Sequence, residues 1–148
     1  MLQIALMLYL IFDTGMFIAE VFSFRTAKLF HYVFSMLYYL VIPLPGLIFL
    51  LYCDFKVFND ENGLKRRLPF YLIPVIINGA AVLITPFTSL IFNIDDNNTY
   101  TRGDYFWITL IAGFGYLAAY PLLIIKTKRK KIIPPKGSDI YLYLFPIL

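Results

Sequence analysis

Two acidic residues, Asp13 and Glu20, interrupt the first long apolar run of the sequence. They are seven positions apart, so they would share one face of a helix. A carboxylate at membrane depth costs roughly 2.5–3.5 kcal/mol on insertion scales, so each should face protein or water. The pair could relay a proton or cation, or contact a ligand. The simpler interpretation is that Glu20 reaches the interface, whereas Asp13 caps a helix or pairs with a polar neighbour.

His31 and Asn78 are two further polar residues at notable positions in apolar runs. His31 begins the second run and is the only histidine, so histidines alone cannot build a metal site. A structural role at the interface is the simpler interpretation, with ligand contact as the alternative. Asn78 lies in the middle of the third run, where an amide can bond between helices and contribute roughly 0.6–2 kcal/mol. Helix packing is therefore favoured over ligand binding at Asn78.

The most polar segment covers residues 93–107. The oxygen-rich positions 95–98 could approach Ca²⁺, but the spacing of an EF-hand loop and its final glutamate are absent. Asn97-Asn98-Thr99 fits a glycosylation sequon, which is common by chance. Residues 100–103 predict a short hairpin-like turn that lies over the helices. The mixed aromatic and charged content suits a lid on an outward cavity, and an ordinary polar connector is the alternative.

Recognisable catalytic patterns are missing from the sequence. It contains no glycine-rich nucleotide loop, no Ser/His/Asp set and no HExxH zinc motif. The single cysteine, Cys53, excludes an internal disulfide framework and provides no metal-ligand pattern. We therefore expect no enzymatic activity, no cofactor and no metal.

The composition explains which elements must position these residues. The chain is 60% hydrophobic and 15% charged, against about 45–50% and about 25% in soluble domains. Four apolar runs each approach the ~20 residues that a helix needs to cross a bilayer, and they cover residues 2–24, 31–52, 68–92 and 105–125. The sequence predicts one all-α membrane domain over residues 1–148, a polytopic helix bundle. Internal Pro and Gly residues predict bends in runs two to four.

The basic residues predict the orientation of this bundle. Ten of the 13 Lys and Arg residues fall within segments 54–67 and 126–139. Because Lys and Arg collect on the cytoplasmic side of cell membranes, we expect both segments and the N-terminus inside and segment 93–104 outside. The net charge of +4 then indicates contact with anionic lipid headgroups rather than with nucleic acid.

The two ends of the sequence also carry expectations. The N-terminus lacks the basic region and the cleavage site of a signal peptide, so the first run is expected to be retained. A fifth apolar run, 140–148, is far below spanning length and is expected to be the start of a further span. The chain therefore looks like a piece of a longer protein.

Segments 51–67, 72–78 and 91–107 resemble the multi-span N-terminal membrane region that precedes GGDEF diguanylate cyclase domains in Firmicutes-type bacterial signalling proteins. The matching outer-loop positions are Ile94, Asp95, Asn97, Tyr100, Arg102, Gly103, Phe106 and Trp107. The resemblance implies a sensory or signal-relay role and a C-terminal output domain. Family members begin one span earlier and continue through more spans. The Gly-Gly-Asp-Glu-Phe motif itself is missing, so we do not expect this chain to make cyclic di-GMP.

The sequence thus favours a membrane-embedded sensory or signal-relay module of a bacterial signalling protein, with part of a transporter or a plain anchor as alternatives. Its partners would be the lipid bilayer, a ligand from outside or from the membrane, and a second copy in a homodimer. The candidate ligand-binding residues share the predicted outer side: Glu20, His31, Asp95, Tyr100, Arg102 and Trp107. Asp13 and Asn78 are the candidate intramembrane polar residues.

Overall fold

The structure, a computed structural model, describes residues 2–21 and 26–129, with side chains up to Ala119. This part of the chain is mostly helical. Its elements in order are α1 (Leu2–Val21), α2 (Ala27–Val41), α3 (Pro43–Phe58), α4 (Glu61–Thr88), β1 (Phe92–Ile94), β2 (Tyr100–Arg102) and α5 (Trp107–Arg129). The fifth apolar run, 140–148, and most of the basic segment 126–139 lie outside the described residues.

Helices α2 and α3 together form one long apolar stretch with a break at Ile42. The break follows from Pro43, which has no N–H to donate to the carbonyl of Tyr39 four residues earlier. Chain direction is nevertheless preserved, because the Ile42 N–H still donates to the Tyr38 carbonyl at 3.0 Å. The predicted run 31–52 therefore lies within the helical stretch Ala27–Phe58, which is interrupted at Ile42 next to the prolines that predict a bend.

Three helical stretches among the described residues are long and apolar enough to cross a membrane: Leu2–Val21, Ala27–Phe58 and Glu61–Thr88. The apolar part of α5 with described side chains is shorter, Trp107–Ala119. Large hydrophobic side chains point outward from these helices, among them Phe87, 90% exposed, and Phe70, 71% exposed. Long helices with an apolar exterior are what a lipid environment requires, which supports membrane association.

The helices pack so that two ends of the bundle can be distinguished. Helix α1 packs on α2, α3 packs on α5, and α4 contacts α2, α3 and α5. We call the end that carries β1 and β2 the hairpin end, and the end that carries Asn59 and Asp60 the turn end. Helices α3 and α5 approach closely, since a Cβ added to Gly46 would lie 2.9 Å from the Gly113 carbonyl oxygen.

The turn end connects α3 to α4 through a short, well-capped turn. Asn59 ends α3 in the left-handed conformation with φ 46°, a backbone state that asparagine tolerates better than most residues. Asp60 then caps α4, and its carboxylate accepts a hydrogen bond from the Gly63 N–H at 3.0 Å. This short turn makes α3 and α4 antiparallel neighbours.

The hairpin end carries the one departure from helical structure among the described residues. Strands β1 and β2 pair antiparallel, with Phe92 opposite Arg102 and Ile94 opposite Tyr100. Phe92 and Ile94 are buried in the main apolar cluster together with Tyr39. Residues 100–102 of the predicted hairpin-like turn therefore form strand β2, one of the two strands of a hairpin that packs over the helix ends.

Candidate functional site

Asn98, at the tip of the hairpin, connects three elements. Its Nδ2 donates to the Ala19 carbonyl of α1 at 2.7 Å. Its Oδ1 must then accept, and the His31 Nδ1 lies 3.1 Å away on α2. Asn98 adopts the left-handed conformation, with φ 63°. The hairpin tip therefore holds α1 and α2 together at this end of the bundle.

The loop around Asn98 is shaped by Asp95. One oxygen of its carboxylate accepts hydrogen bonds from the Asn97 N–H at 2.9 Å and the Thr99 N–H at 2.8 Å. Its backbone N–H donates to the Thr99 carbonyl at 3.1 Å. Asp95 therefore orders the loop, because its carboxylate binds backbone N–H groups of that loop.

His31 and Ser35 are buried polar residues one helical turn apart on α2, and both are fully excluded from solvent. Among the described residues, the His31 Nε2 and the Ser35 Oγ have no hydrogen-bond partner. The His31 ring also stacks on the Tyr100 ring, with centroids 6.3 Å apart. His31 is therefore an internal contact between α2 and the hairpin.

Four tyrosines form a row from α1 to the hairpin, which we call the tyrosine row: Tyr9, Tyr38, Tyr39 and Tyr100. The hydroxyls of Tyr9 and Tyr38 lie 3.1 Å apart. The Tyr38 and Tyr39 rings meet edge to face at 5.1 Å. The Tyr39 and Tyr100 hydroxyls are hydrogen bonded. Burial raises the pKa of the Tyr100 hydroxyl, so it stays protonated and able to donate.

The tyrosine row lies along a groove of about 630 Å³ flanked by α1 and α5 and floored by the α2–α3 break. Toward the hairpin the lining is polar, with Tyr39, Tyr100 and Arg102, and the Tyr9–Tyr38 pair lies midway along the groove. The opposite end of the groove is apolar, with Leu2, Leu6, Phe114 and Leu117. Arg102 is exposed, and its guanidinium carbon lies 4.8 Å from the Phe106 ring centroid. A groove with one polar and one apolar end suits an amphipathic molecule.

The remaining predicted outer residues take different positions. Trp107 is 51% exposed, and its ring lies 6.3 Å from that of Tyr105. Glu20 is exposed, and only its backbone carbonyl approaches Asn98, at 3.4 Å. His31 and Tyr100 thus contact each other, and Asp95 orders the adjoining loop. Tyr100 and Arg102 line the groove, and Trp107 takes part in none of these contacts.

The two intramembrane polar residues also differ from each other. Asn78 is buried and fully bonded, since its Nδ2 donates to the Tyr39 carbonyl at 2.8 Å and its Oδ1 accepts from the Thr109 hydroxyl at 2.8 Å. Asp13 is half-buried on α1. Among the described residues, no side-chain hydrogen bond to Asp13 is present.

A buried ion pair at the turn end was not anticipated from the sequence. Asp54 on α3 is fully buried. It accepts two hydrogen bonds from Arg67 on α4, at 2.8 and 3.0 Å, and a third from the Tyr71 hydroxyl at 3.0 Å. The Tyr116 hydroxyl donates to the Tyr71 carbonyl at 2.6 Å and brings α5 into the cluster. We call Asp54, Arg67 and Tyr71 the turn-end clamp.

An exposed ion pair joins the hairpin to the start of α2. The Lys28 Nζ lies 2.7 Å from an Asp96 carboxylate oxygen. The hydrogen bond from Lys28 and the positive charge of Lys28 lower the pKa of the Asp96 carboxyl. Both side chains face solvent, so the pair joins the hairpin to α2 but contributes little to stability.

In the part of the chain that the structure describes, no group of three or more His, Cys, Asp or Glu residues is placed to hold a metal ion. Cys53 is buried and free. No protein-family model, curated protein or solved structure matches the chain. The described features that bear on function are therefore the groove, the hairpin, the tyrosine row and the turn-end clamp.

Proposed function

We propose that this chain is a membrane-embedded sensory and signal-relay module that crosses the bilayer four times. The observation that carries the proposal is the tyrosine row, because it joins the hairpin, α1 and the α2–α3 break in one chain of side-chain contacts. The module would act on a separate output domain, as the resemblance to membrane regions ahead of GGDEF domains implies. It would have no catalytic activity of its own.

The lengths of the helices support four crossings. Helix α5 has 23 residues. Its apolar part, residues 107–125, corresponds to about 28 Å at the usual rise per residue, close to a ~30 Å hydrocarbon core. In this topology the hairpin lies outside. The turn end lies in the cytoplasm, where the exposed Lys65 and Arg66 would meet anionic headgroups. A second copy, as a homodimer partner, remains part of the proposal.

The relay would begin at Tyr39. Its hydroxyl bonds Tyr100 of the hairpin, while its backbone carbonyl lies at the α2–α3 break and is held by Asn78 of α4. A break without its normal backbone bond is a natural hinge. A change at the hairpin would therefore alter the angle between α2 and α3.

The turn-end clamp would receive this movement. Asp54 lies on α3 beyond the break and is bonded to Arg67 and Tyr71 of α4. A shift of α3 must either carry α4 with it or exchange these bonds, and such paired alternatives are what a two-state switch requires. The signal would thus leave the membrane through the α3–α4 turn.

Paired spin labels in bilayers test the relay. Labels at Gln3→Cys, in the first turn of α1, and Asn59→Cys, at the turn end, both exposed, would report movement of the turn end in a Cys53→Ala background. Tyr100→Phe removes the hydroxyl bonded to Tyr39 but keeps the ring. We expect it to shift the label distance on the order of 1–2 Å or more, the size of helix shifts in known switches.

Tyr105→Phe is the matched control, because Tyr105 is at the same end but 49% exposed. Its label distances should equal those of the parent protein. If Tyr100→Phe also left the distances unchanged, the hairpin would not be coupled to the turn end, and a plain anchor would be the better description.

One observation favours part of a transporter as a second candidate. Asp13 is a half-buried carboxylate in an apolar helix, and such groups mark ion pathways in many membrane proteins. Proton flux into proteoliposomes, followed with an enclosed pH dye, separates the two functions. The relay predicts flux equal to that of empty vesicles, and flux abolished by Asp13→Asn would favour transport.

A further inference from the structure

The groove between α1 and α5 has hydrogen-bond donors at its hairpin end and midway along it, without matching acceptors. In each hydroxyl pair, Tyr9 with Tyr38 and Tyr39 with Tyr100, one hydroxyl donates and the proton of the other is left over. No further acceptor for these protons is present among the described residues. Two O–H groups are therefore available within the tyrosine row.

Arg102 adds a positive charge without a carboxylate partner at the hairpin end of the groove. Lys28 and Arg67 each lie against a carboxylate, Asp96 and Asp54. In the described part of the chain no carboxylate pairs with Arg102, which lies against the Phe106 ring and the Tyr100 hydroxyl instead. A guanidinium with hydroxyl donors beside it recognises carboxylate and phosphate oxygens.

The whole groove, from its polar end to its apolar end, is about as long as one lipid chain. On α1 the lining runs from Met16 to Leu2, about 21 Å at the rise of an α-helix. This exceeds half of a ~30 Å hydrocarbon core, the depth of one leaflet. The volume of about 630 Å³ lies in the range of sites for one small ligand, typically about 300–1,000 Å³. One chain is therefore a better match than a two-chain phospholipid.

We propose that the groove binds a single-chain anionic amphiphile, a long-chain carboxylate, with its head at Arg102 and Tyr100 and its chain against Leu6 and Phe114. The proposal rests on the proposed function and names the ligand class of the same site. Binding would place an acceptor against the tyrosine row next to the α2–α3 break. The membrane itself would supply the ligand through the open side between α1 and α5.

Radiolabelled oleate is the probe, added to the full chain in phosphatidylcholine nanodiscs and compared with empty nanodiscs. We expect saturable binding that Arg102→Gln weakens about tenfold, as loss of a charge-assisted bond should. Tyr100→Phe should weaken it about threefold to fivefold. Arg66→Gln, which removes an exposed charge at the turn end, should leave binding unchanged.

Two further arms test the head and the chain separately. Oleyl alcohol has the same chain without the charge, so it should compete at least about tenfold less well and be insensitive to Arg102→Gln. Leu6→Trp places a large ring in the apolar end and should reduce oleate binding. Leu6 is 46% exposed, so thermal unfolding should show that this variant still folds.

The proposal is overturned if oleate binds the parent protein and Arg102→Gln equally, or if oleyl alcohol competes as well as oleate. It is also overturned if a two-chain anionic phospholipid is retained in preference to oleate, or if the groove is covered by a second copy that Leu6→Trp releases as monomer. Oleate binding without any change in the Gln3 to Asn59 label distance would contradict the relay alone. A label shift in Tyr100→Phe without oleate binding would contradict only the ligand class.

Discussion

The side-chain amide of Asn78 replaces the backbone hydrogen bond that Pro43 cannot make. Its Nδ2 lies 2.8 Å from the carbonyl oxygen of Tyr39, the group that would accept from position 43 in an unbroken helix. One residue of α4 thus satisfies the break between α2 and α3. Asn78 thus stabilises the break, and the angle between α2 and α3 can still change there.

Substitution at Asn78 should therefore depend on Pro43. Asn78→Leu leaves the Tyr39 carbonyl and the Thr109 hydroxyl buried without their partner, and we expect a loss of about 1–3 kcal/mol in the free energy of unfolding. Pro43→Ala restores a backbone donor, so in the Pro43→Ala background the same substitution should cost less. Denaturant unfolding in detergent micelles measures the four-variant cycle. Additive effects would mean that Asn78 does not stand in for the missing donor.

Breaking the turn-end clamp should be more damaging than removing a neighbouring charge. Arg67→Met leaves the fully buried Asp54 carboxylate with only the Tyr71 hydroxyl among its present partners. The expected loss is about 3 kcal/mol, the lower end for a broken buried pair, because the Arg67 side chain is 33% exposed. Arg66→Met removes an exposed charge and should cost less than about 1 kcal/mol.

A compensating variant sharpens this test. Asp54→Leu combined with Arg67→Met removes both charges and should recover a good part of the lost stability, since an apolar pair can replace a buried ion pair. Thermal unfolding of the single and double variants gives the comparison. A double variant as unstable as Arg67→Met would show that the cost lies in packing rather than in an uncompensated charge.

The hairpin tip should hold the end of α1 through Asn98. Asn98→Ala removes the bonds to the Ala19 carbonyl and to His31, and we expect faster amide hydrogen exchange in the last turn of α1. Asp96→Ala is the matched control in the same loop, where both members of the exposed pair with Lys28 face solvent. It should leave exchange in α1 near that of the parent protein, because exposed pairs contribute little. Equal exchange in both variants would remove Asn98 from its connecting role.

Gly103 and Gly115 offer a matched test of the hairpin's close approach. A Cβ at Gly103 would lie 2.3 Å from the Ser89 carbonyl oxygen, whereas at Gly115 nothing lies within 4 Å. Gly103→Ala should therefore displace the hairpin and lower the unfolding temperature. Gly115→Ala, inside α5, should be neutral or stabilise the protein by up to about 1 kcal/mol, as Ala does in helices. Equal unfolding temperatures for the two variants would contradict the placement of the hairpin.

The sequence predicted the elements better than their partners. Apolar runs and internal prolines predict long helices and an irregularity near Pro43, where the structure interrupts the helix at Ile42, because span length and a missing N–H are local properties. The role of Asn98 was not accessible in this way, since its acceptor on Ala19 is 79 residues away. For Asn78 a signal did exist. A proline four residues after Tyr39 leaves a carbonyl without a donor, and a mid-span amide is a natural replacement.

The turn-end clamp and Trp107 show what position in the sequence leaves open. Arg67 belongs to a basic loop, a pattern that predicts contact with lipid headgroups and does not point to Asp54, although both residues lie at the ends of neighbouring apolar runs. Trp107 follows the polar outer segment in the sequence, and its place in a ligand site stays a prediction. It begins α5 next to the half-buried Phe106, and the turn of the helix directs it outward.

The central claim is that the hairpin and the α3–α4 turn lie on opposite sides of a membrane, so that an input at one is received at the other. Cysteine labelling in intact cells tests it most directly, with Asn97→Cys at the hairpin and Lys65→Cys near the turn, both exposed, in a Cys53→Ala background. We predict that a membrane-impermeant maleimide modifies Asn97→Cys in intact cells and Lys65→Cys only after permeabilisation. Modification of both from the same side would contradict the account.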